Sequence, residues 1–329
     1  NIHDNDGPGI SIDSGVTFSE LTITENQVEN NGVNNGENGI SISEVINSSN
    51  TLNINDNQVS GSGYYGIYIG SIVNSTIKIG ETTTNTITNN RSTGLYIETV
   101  DQDSTVTIQN NTIEGNNTMG DSNTGGIYIG SVSQSISTVT IQDNSISDNT
   151  GQGLYVNSVQ DSTLNISGNT VNNNTTQGIY LEQAFGSEIT IGGEDIGEGN
   201  TISGNDDAGI YLGSVIGVNI TGNTIQNNEV GSGTTGIVIQ SASGNEAHNN
   251  IISGNNVGVN NQDEDGDDFD ARENFWGSIL GPFHEILNPN GECNNVSDNV
   301  LFRPFFLDEI LETLRANYVK PDYIDSLLD

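Results

Sequence analysis

A short unit, glycine-apolar-x-apolar, recurs along this chain and limits its fold more than any other feature. It begins at Gly9, Gly39, Gly66, Gly94, Gly126, Gly153, Gly178, Gly209 and Gly236, at intervals of 25 to 32 residues, with a weaker instance at Gly258. Each interval holds two further alternating stretches, such as "VTI" at Val106 and Val139, and "NTI" at Asn85, Asn111 and Asn200. Three alternating stretches per repeat, divided by Gly, Asn and Ser turns, predict three strands per coil and an all-β solenoid. No apolar run up to residue 262 keeps a helical period. Nine or ten parallel coils about 4.8 Å apart make a rod of roughly 45 Å.

Composition agrees with a thin, repetitive core. Hydrophobic residues are 32% and charged residues 15% of 329. That is too polar for a conventional mixed core and too rich in Ile and Val for disorder. The net charge is -37, from 43 acidic and 6 basic residues. Such a surface repels phosphates and anionic lipids, so neither a nucleic-acid partner nor membrane insertion is expected. It suits a cell surface or an extracellular, saline or calcium-containing medium. Cys293 is the single cysteine, which excludes an intrachain disulfide. The chain opens inside a repeat, "NDGPGISI", without a signal peptide or membrane span, and reads as a piece of something longer.

Asparagine recurs at matched corners, as in "NTIEGN" (Asn111 to Asn116) and "NTISGN" (Asn200 to Asn205). Asn tolerates left-handed turn geometry, and stacked amides bond to one another along a ladder. Asn-x-Ser/Thr matches at Asn47, Asn74, Asn90, Asn174 and Asn219 permit glycosylation, although an Asn-rich chain produces such matches by chance.

The middle position of the glycine unit reads Ser11, Ser41, Tyr68, Tyr96, Tyr128, Tyr155, Tyr180, Tyr211 and Val238. Strand alternation sends its neighbours inward and this residue outward. Six consecutive coils therefore display a tyrosine file. It is read either as a self-stacking stripe covered by the adjacent loops or as an aromatic platform for a glycan or a protein.

The "NxIxxNxxxGIxI" spacing over roughly residues 1–262 resembles the right-handed parallel β-helix repeat proteins of the pectin-lyase-like superfamily, in particular the NosD-like branch. The resemblance implies the fold and leaves activity open, since that superfamily holds lyases, hydrolases, epimerases, adhesins and scaffolds. A lyase acting on uronates needs cationic groups, and the coils offer only Lys78 and Arg91, at different coil positions. Asp206 and Asp207 superficially match the paired aspartates of polygalacturonase-like hydrolases and are the weak catalytic candidates. The accompanying Gly-His-Gly and Arg-x-Lys elements are missing. His3, His248 and His284 are scattered, and one Met and one Cys supply no soft-metal site, so no organic cofactor and no copper are expected.

The acidic stretch from Asn260 to Gly277 interrupts the repeat. Counted from Asn261, it places Asn261, Asp263, Asp265 and Gly266 at positions 1, 3, 5 and 6 of a calcium loop, with Asp268, Asp270 and Glu273 as further oxygen donors. A solvated acidic turn is the equal alternative. "ENFWGSILGP" resembles the "NxWWG…GP" segment that follows the last coil in bacterial β-helix surface proteins, with Phe275 in place of the first Trp. Phe275, Trp276 and Phe283 are expected to lid the tube, because a capped end prevents runaway edge pairing. From Leu307 to Asp329 the pattern turns helical, with Leu307, Ile310, Leu311 and Leu314 on one face. This tail is expected to pack on the cap or on another subunit or domain.

The expected organisation is coils at 1–262, an acidic loop and cap at 263–306, and a helical tail at 307–329. The expected function is a non-catalytic surface scaffold or binding module. A self-assembling subunit stacking head to tail through its N-terminal coil, and a polysaccharide-active enzyme, are the alternatives.

Overall fold

The computed structural model describes residues 1–13, 20–46, 51–120, 125–134, 136–195, 197–228, 235–241, 243–263 and 266–307. All regular structure in these residues is β. Three parallel sheets run side by side along the molecule. Sheet one has ten strands, from Ile2–His3 to Ile251–Ser253; sheet two has eleven, from Ile10–Ile12 to Asn295–Val296; sheet three has eleven, from Glu20–Thr24 to Val300–Leu301. The chain visits the three in turn, so each coil contributes one strand to each sheet.

Register is kept from coil to coil. In sheet one Ile87 pairs with Val59 on one side and Ile113 on the other. In sheet three Val106 pairs with Ile77 and Val139. Inward positions alternate with outward ones, as in Thr138–Gln142, where Val139 and Ile141 are buried. One coil buries Ile127, Ile129, Val132, Val139, Ile141 and Ile146, each contributing about 1.5–3 kcal/mol. Like residues lie over like, so the core is one continuous apolar column.

The long strands of sheet two bend in the middle. In Ile127–Ser133 the inward residues are Ile127, Ile129 and then Val132, a phase change centred on Gly130. The equivalent Glu98 falls out of the paired register between Ile97 and Thr99.

The corners explain the abundance of asparagine. One ladder runs through Asn26, Asn57, Asn85, Asn111, Asn144, Asn169, Asn200, Asn223, Asn250 and Asn274, each Nδ2 donating to the Oδ1 of the next at 2.8–3.0 Å. The same Oδ1 also accepts a backbone N–H, as Asn144 does from Asn111, and the same Nδ2 also donates to a backbone carbonyl, as Asn144 does to Ile108. A second ladder joins Asn90, Asn116, Asn149, Asn174, Asn205, Asn228 and Asn255. Each of these follows a residue in the left-handed region, such as Asn89, Asp148 or Gly204. Asn90 and Asn174 are therefore fully buried rungs, which corrects their reading as glycosylation sites. At the third corner serines do similar work: Ser75 N–H bonds Ser104 Oγ, and Ser104 N–H bonds Ser137 Oγ, each at 3.3 Å.

The second ladder also accounts for the glycine that opens each unit. A Cβ on Gly126 would stand 2.6 Å from Ile146 Cγ2 and 3.0 Å from Asn149 Nδ2. Only a residue without a side chain lets sheet two leave this corner.

The coils do not stop at residue 262. Phe269–Asp270 and Val300–Leu301 extend sheet three, Asn295–Val296 extends sheet two, and bridges from Ile251 to Phe275 and Phe275 to Phe306 prolong the line of sheet one. The capping segment is thus built as further, shortened coil. Phe275 and Trp276 are buried, and Trp276 packs where Gly258 leaves room. Phe283 differs, being 38% exposed, while Phe302 is fully buried. Phe283 lies at the surface, where its backbone bridges Asn295. The helical reading of 308–329 lies outside the described residues, as does Asn47.

Candidate functional site

The tyrosines form the file that register demands. Tyr68, Tyr96, Tyr128, Tyr155, Tyr180 and Tyr211 are successive partners in sheet two, preceded by Ser41 and followed by Val238. All six are half-buried. Tyr65 adds a ring that the alternation does not foretell, stacked on Tyr96 at 4.3 Å and on Tyr68 at 5.8 Å, with Tyr64 beside it.

The rings do not make a uniform platform. Tyr96 and Tyr128 stack at 4.5 Å and 15°, and Tyr155 and Tyr180 at 4.9 Å and 7°. Between these groups the geometry turns edge-on, at 82° for Tyr128 and Tyr155 and 76° for Tyr180 and Tyr211. Near-parallel rings at these separations overlap face to face with an offset, so much of each face is covered by its neighbour. What the strip offers to a ligand is ring edges and phenol hydroxyls.

Carboxylates flank the strip at a position that sequence reading passed over. Glu98 and Glu182 each stand two residues after a tyrosine, at the bend of sheet two. The Tyr68 hydroxyl donates to Glu98 Oε2 at 2.6 Å, and the Tyr155 hydroxyl donates to Glu182. Asn157, in the same column, donates to the Gly130 carbonyl. The column reads Gly70, Glu98, Gly130, Asn157, Glu182 and Gly213. Its signal was present in the sequence: the outward position next to each tyrosine is either side-chain-free or polar.

This setting keeps the phenols protonated. Burial pushes Tyr68 up to about 12, with the Glu98 hydrogen bond and charge adding to it. Burial likewise pushes Tyr96 up to about 12, helped by Tyr128 and Glu98. Tyr155 is raised by burial and then by Glu182, and Tyr211 by burial and then by Asp207. The strip is a row of hydroxyl donors and carboxylate acceptors.

The catalytic candidates separate. Asp207 is exposed, accepts a hydrogen bond from Gln177 at 2.5 Å and faces Tyr211, while Asp206 is half-buried with its N–H on the Asn174 carbonyl. Glu98 and Glu182 lie three coils apart, about 14 Å. Paired glycosidase carboxylates stand no more than about 9.5 Å apart.

In the acidic loop several of the candidate oxygen donors have partners within the chain. Asn261 is buried, its amide donating to the Asp267 and Asn299 carbonyls while its Oδ1 accepts the Asp263 N–H. Asp270 pairs with Arg272 at 2.5 Å, which holds its carboxyl below the usual range, with burial opposing the shift. Glu273 sits in the left-handed region, and its backbone links Asn249 to Pro304. Asp265 lies outside the described residues, and Asp268 joins none of these contacts. Among the described residues no three His, Cys, Asp or Glu side chains converge on one point.

Residues 38–196 match a family described as "Right handed beta helix region". The chain is a right-handed parallel β-helix. The β-helix carries on in the same three sheets well past the matched stretch, to Val300–Leu301. Its architecture is consistent with the pectin-lyase-like superfamily. No curated protein matches the chain.

Proposed function

We propose that this β-helix is a secreted or cell-surface scaffold without catalytic activity, and that its tyrosine strip is a contact surface for a glycan. The observation that carries the reading is the in-register file of six tyrosines with Glu98 and Glu182 beside it. Phenol hydroxyls and carboxylates laid out at coil spacing suit a ligand with many hydroxyl or amino groups in a line. The net charge of -37 disfavours a polyuronate. Coil packing supports a rigid display, and the wide separation of the carboxylates supports binding over hydrolysis. A protein ligand would use the same strip and is an outcome of the test.

The test is retention on insoluble polysaccharides: a neutral β-glucan, chitin, chitosan and a polygalacturonate gel. The parent chain is expected on one of the first three, and a Tyr96→Ser/Tyr128→Ser/Tyr155→Ser variant is expected to lose retention. Ser41 already occupies this column, so serine fits the strand. No retention on any polymer, or equal retention of parent and variant, sinks the glycan reading. New reducing ends would overturn the non-catalytic one.

A further inference from the structure

The cap displays a run of exposed apolar side chains denser than any among the described residues of the coils. Ile279, Leu280, Phe283, Ile286 and Leu287 are all exposed, Ile279 at 67% and Ile286 at 78%, and Leu301 and Leu307 are exposed as well. The two segments that carry them are tied together. The His284 ring lies 5.8 Å from Phe302, Arg303 donates to Asn288 Oδ1 at 3.0 Å, and Gly281 backs closely onto Phe305.

The loop is also held in shape. His284 is buried, and its Nδ1 accepts the backbone N–H groups of Ile286 and Leu287 at 3.2 and 3.1 Å. Its Nε2 lies 3.2 Å from Asp298. A buried imidazole thus fixes a turn whose apolar side chains face solvent. A clustered apolar patch of this kind marks an interaction site.

We propose that this face is the docking site of the chain's own segment 308–329, which begins directly after Leu307. That segment lies outside the described residues, and the case for it rests on sequence and position. Ile310, Leu311 and Leu314 continue the spacing begun by Leu307, an amphipathic stripe of matching character. Charge agrees: only six cations occur in the chain, and one of them, Arg303, stands at the patch, 5.5 Å above the Phe302 ring. The segment opens with Asp308, Glu309 and Glu312. A partner tethered at the edge of its site has a high effective concentration, which favours it over a second copy.

The test uses the full chain. A Leu311→Asp/Leu314→Asp variant is compared with the parent by amide hydrogen exchange and by fluorescence of an apolar dye. The parent is expected to show protected amides at 279–287 and little dye uptake. The variant is expected to lose that protection and take up dye, with far-ultraviolet circular dichroism and protection of Ile127–Ser133 unchanged. Ile286→Asp, which alters the other partner, is expected to hasten proteolysis within 308–329. Unchanged exchange and dye uptake, together with unchanged proteolysis, overturn the proposal. So does protection at 279–287 that grows with protein concentration, because it assigns the face to a second copy.

Discussion

Glu98 leans back one coil to accept the hydroxyl of Tyr68 at 2.6 Å. Gly70, beside Tyr68 in the coil below, makes the approach possible: a Cβ there would stand 3.0 Å from the Tyr68 hydroxyl and 2.3 Å from the Ser43 carbonyl. Glu182 repeats the contact with Tyr155. The strip is therefore a set of interlocked coils and not a row of independent rings.

Alkali should loosen it. Phenols titrate near 10 when unfolded, and Tyr68 and Tyr96 are raised to about 12 in the fold. A raised value means the protonated form is favoured by folding, so this stability is complete below about pH 10 and is lost as pH rises through 12. Denaturant midpoints measured across that window are expected to fall. Glu182→Gln removes a charge that opposes phenolate formation, so Tyr155 should ionise at lower pH in a tyrosinate absorbance titration. An unchanged titration would mean the Glu182 contact does not form in solution.

The asparagine ladder should be costly to break and possible to extend. Asn144→Ala removes the acceptor of the Asn111 backbone N–H and the side-chain donor to Asn169 Oδ1 and the Ile108 carbonyl, at about 1–3 kcal/mol for each buried group left unpaired. Ser62 lies between Asn31 and Asn90 at the position of the second ladder, with its N–H on Asn90 Oδ1 and its hydroxyl without a partner. Ser62→Asn is expected to add about 1 kcal/mol by completing the run. Chemical denaturation of both variants reads the two signs, and destabilisation by Ser62→Asn counts against the ladder as a stabilising device.

Gly153→Ala should destabilise although alanine suits strands better than glycine. Its Cβ would meet Val171 Cγ1 at 2.6 Å, Asn174 Nδ2 at 2.7 Å and the Gly178 carbonyl at 2.8 Å. Overpacking of this kind costs about 1–3 kcal/mol, and a melting temperature equal to the parent's would refute the close approach.

Salt should stabilise the rod. A net charge of -37 over stacked coils produces self-repulsion that ions screen within about 10 Å at 0.1 M. The melting temperature is expected to climb steeply between low salt and molar sodium chloride. A flat response would show that the carboxylates are already neutralised by local contacts.

The sequence by itself determined the coil. The spacing of Gly66, Gly94, Gly126 and their equivalents, with Ile or Leu after each, fixed which residues face inward, because alternation is a property of the strand alone. The same regularity made the Asn corners and the Tyr file legible, since stacking puts like over like. Only the tertiary structure decided what passes between coils off the repeat. The orientation of each tyrosine ring, the reach of Glu98 to Tyr68, the engagement of Asn261 with backbone carbonyls and the exchange of Phe302 for Phe283 in the cap depend on side-chain torsions and on segments distant in the chain. Periodicity carries no information about those choices, because they are settled by which neighbour fills the remaining space.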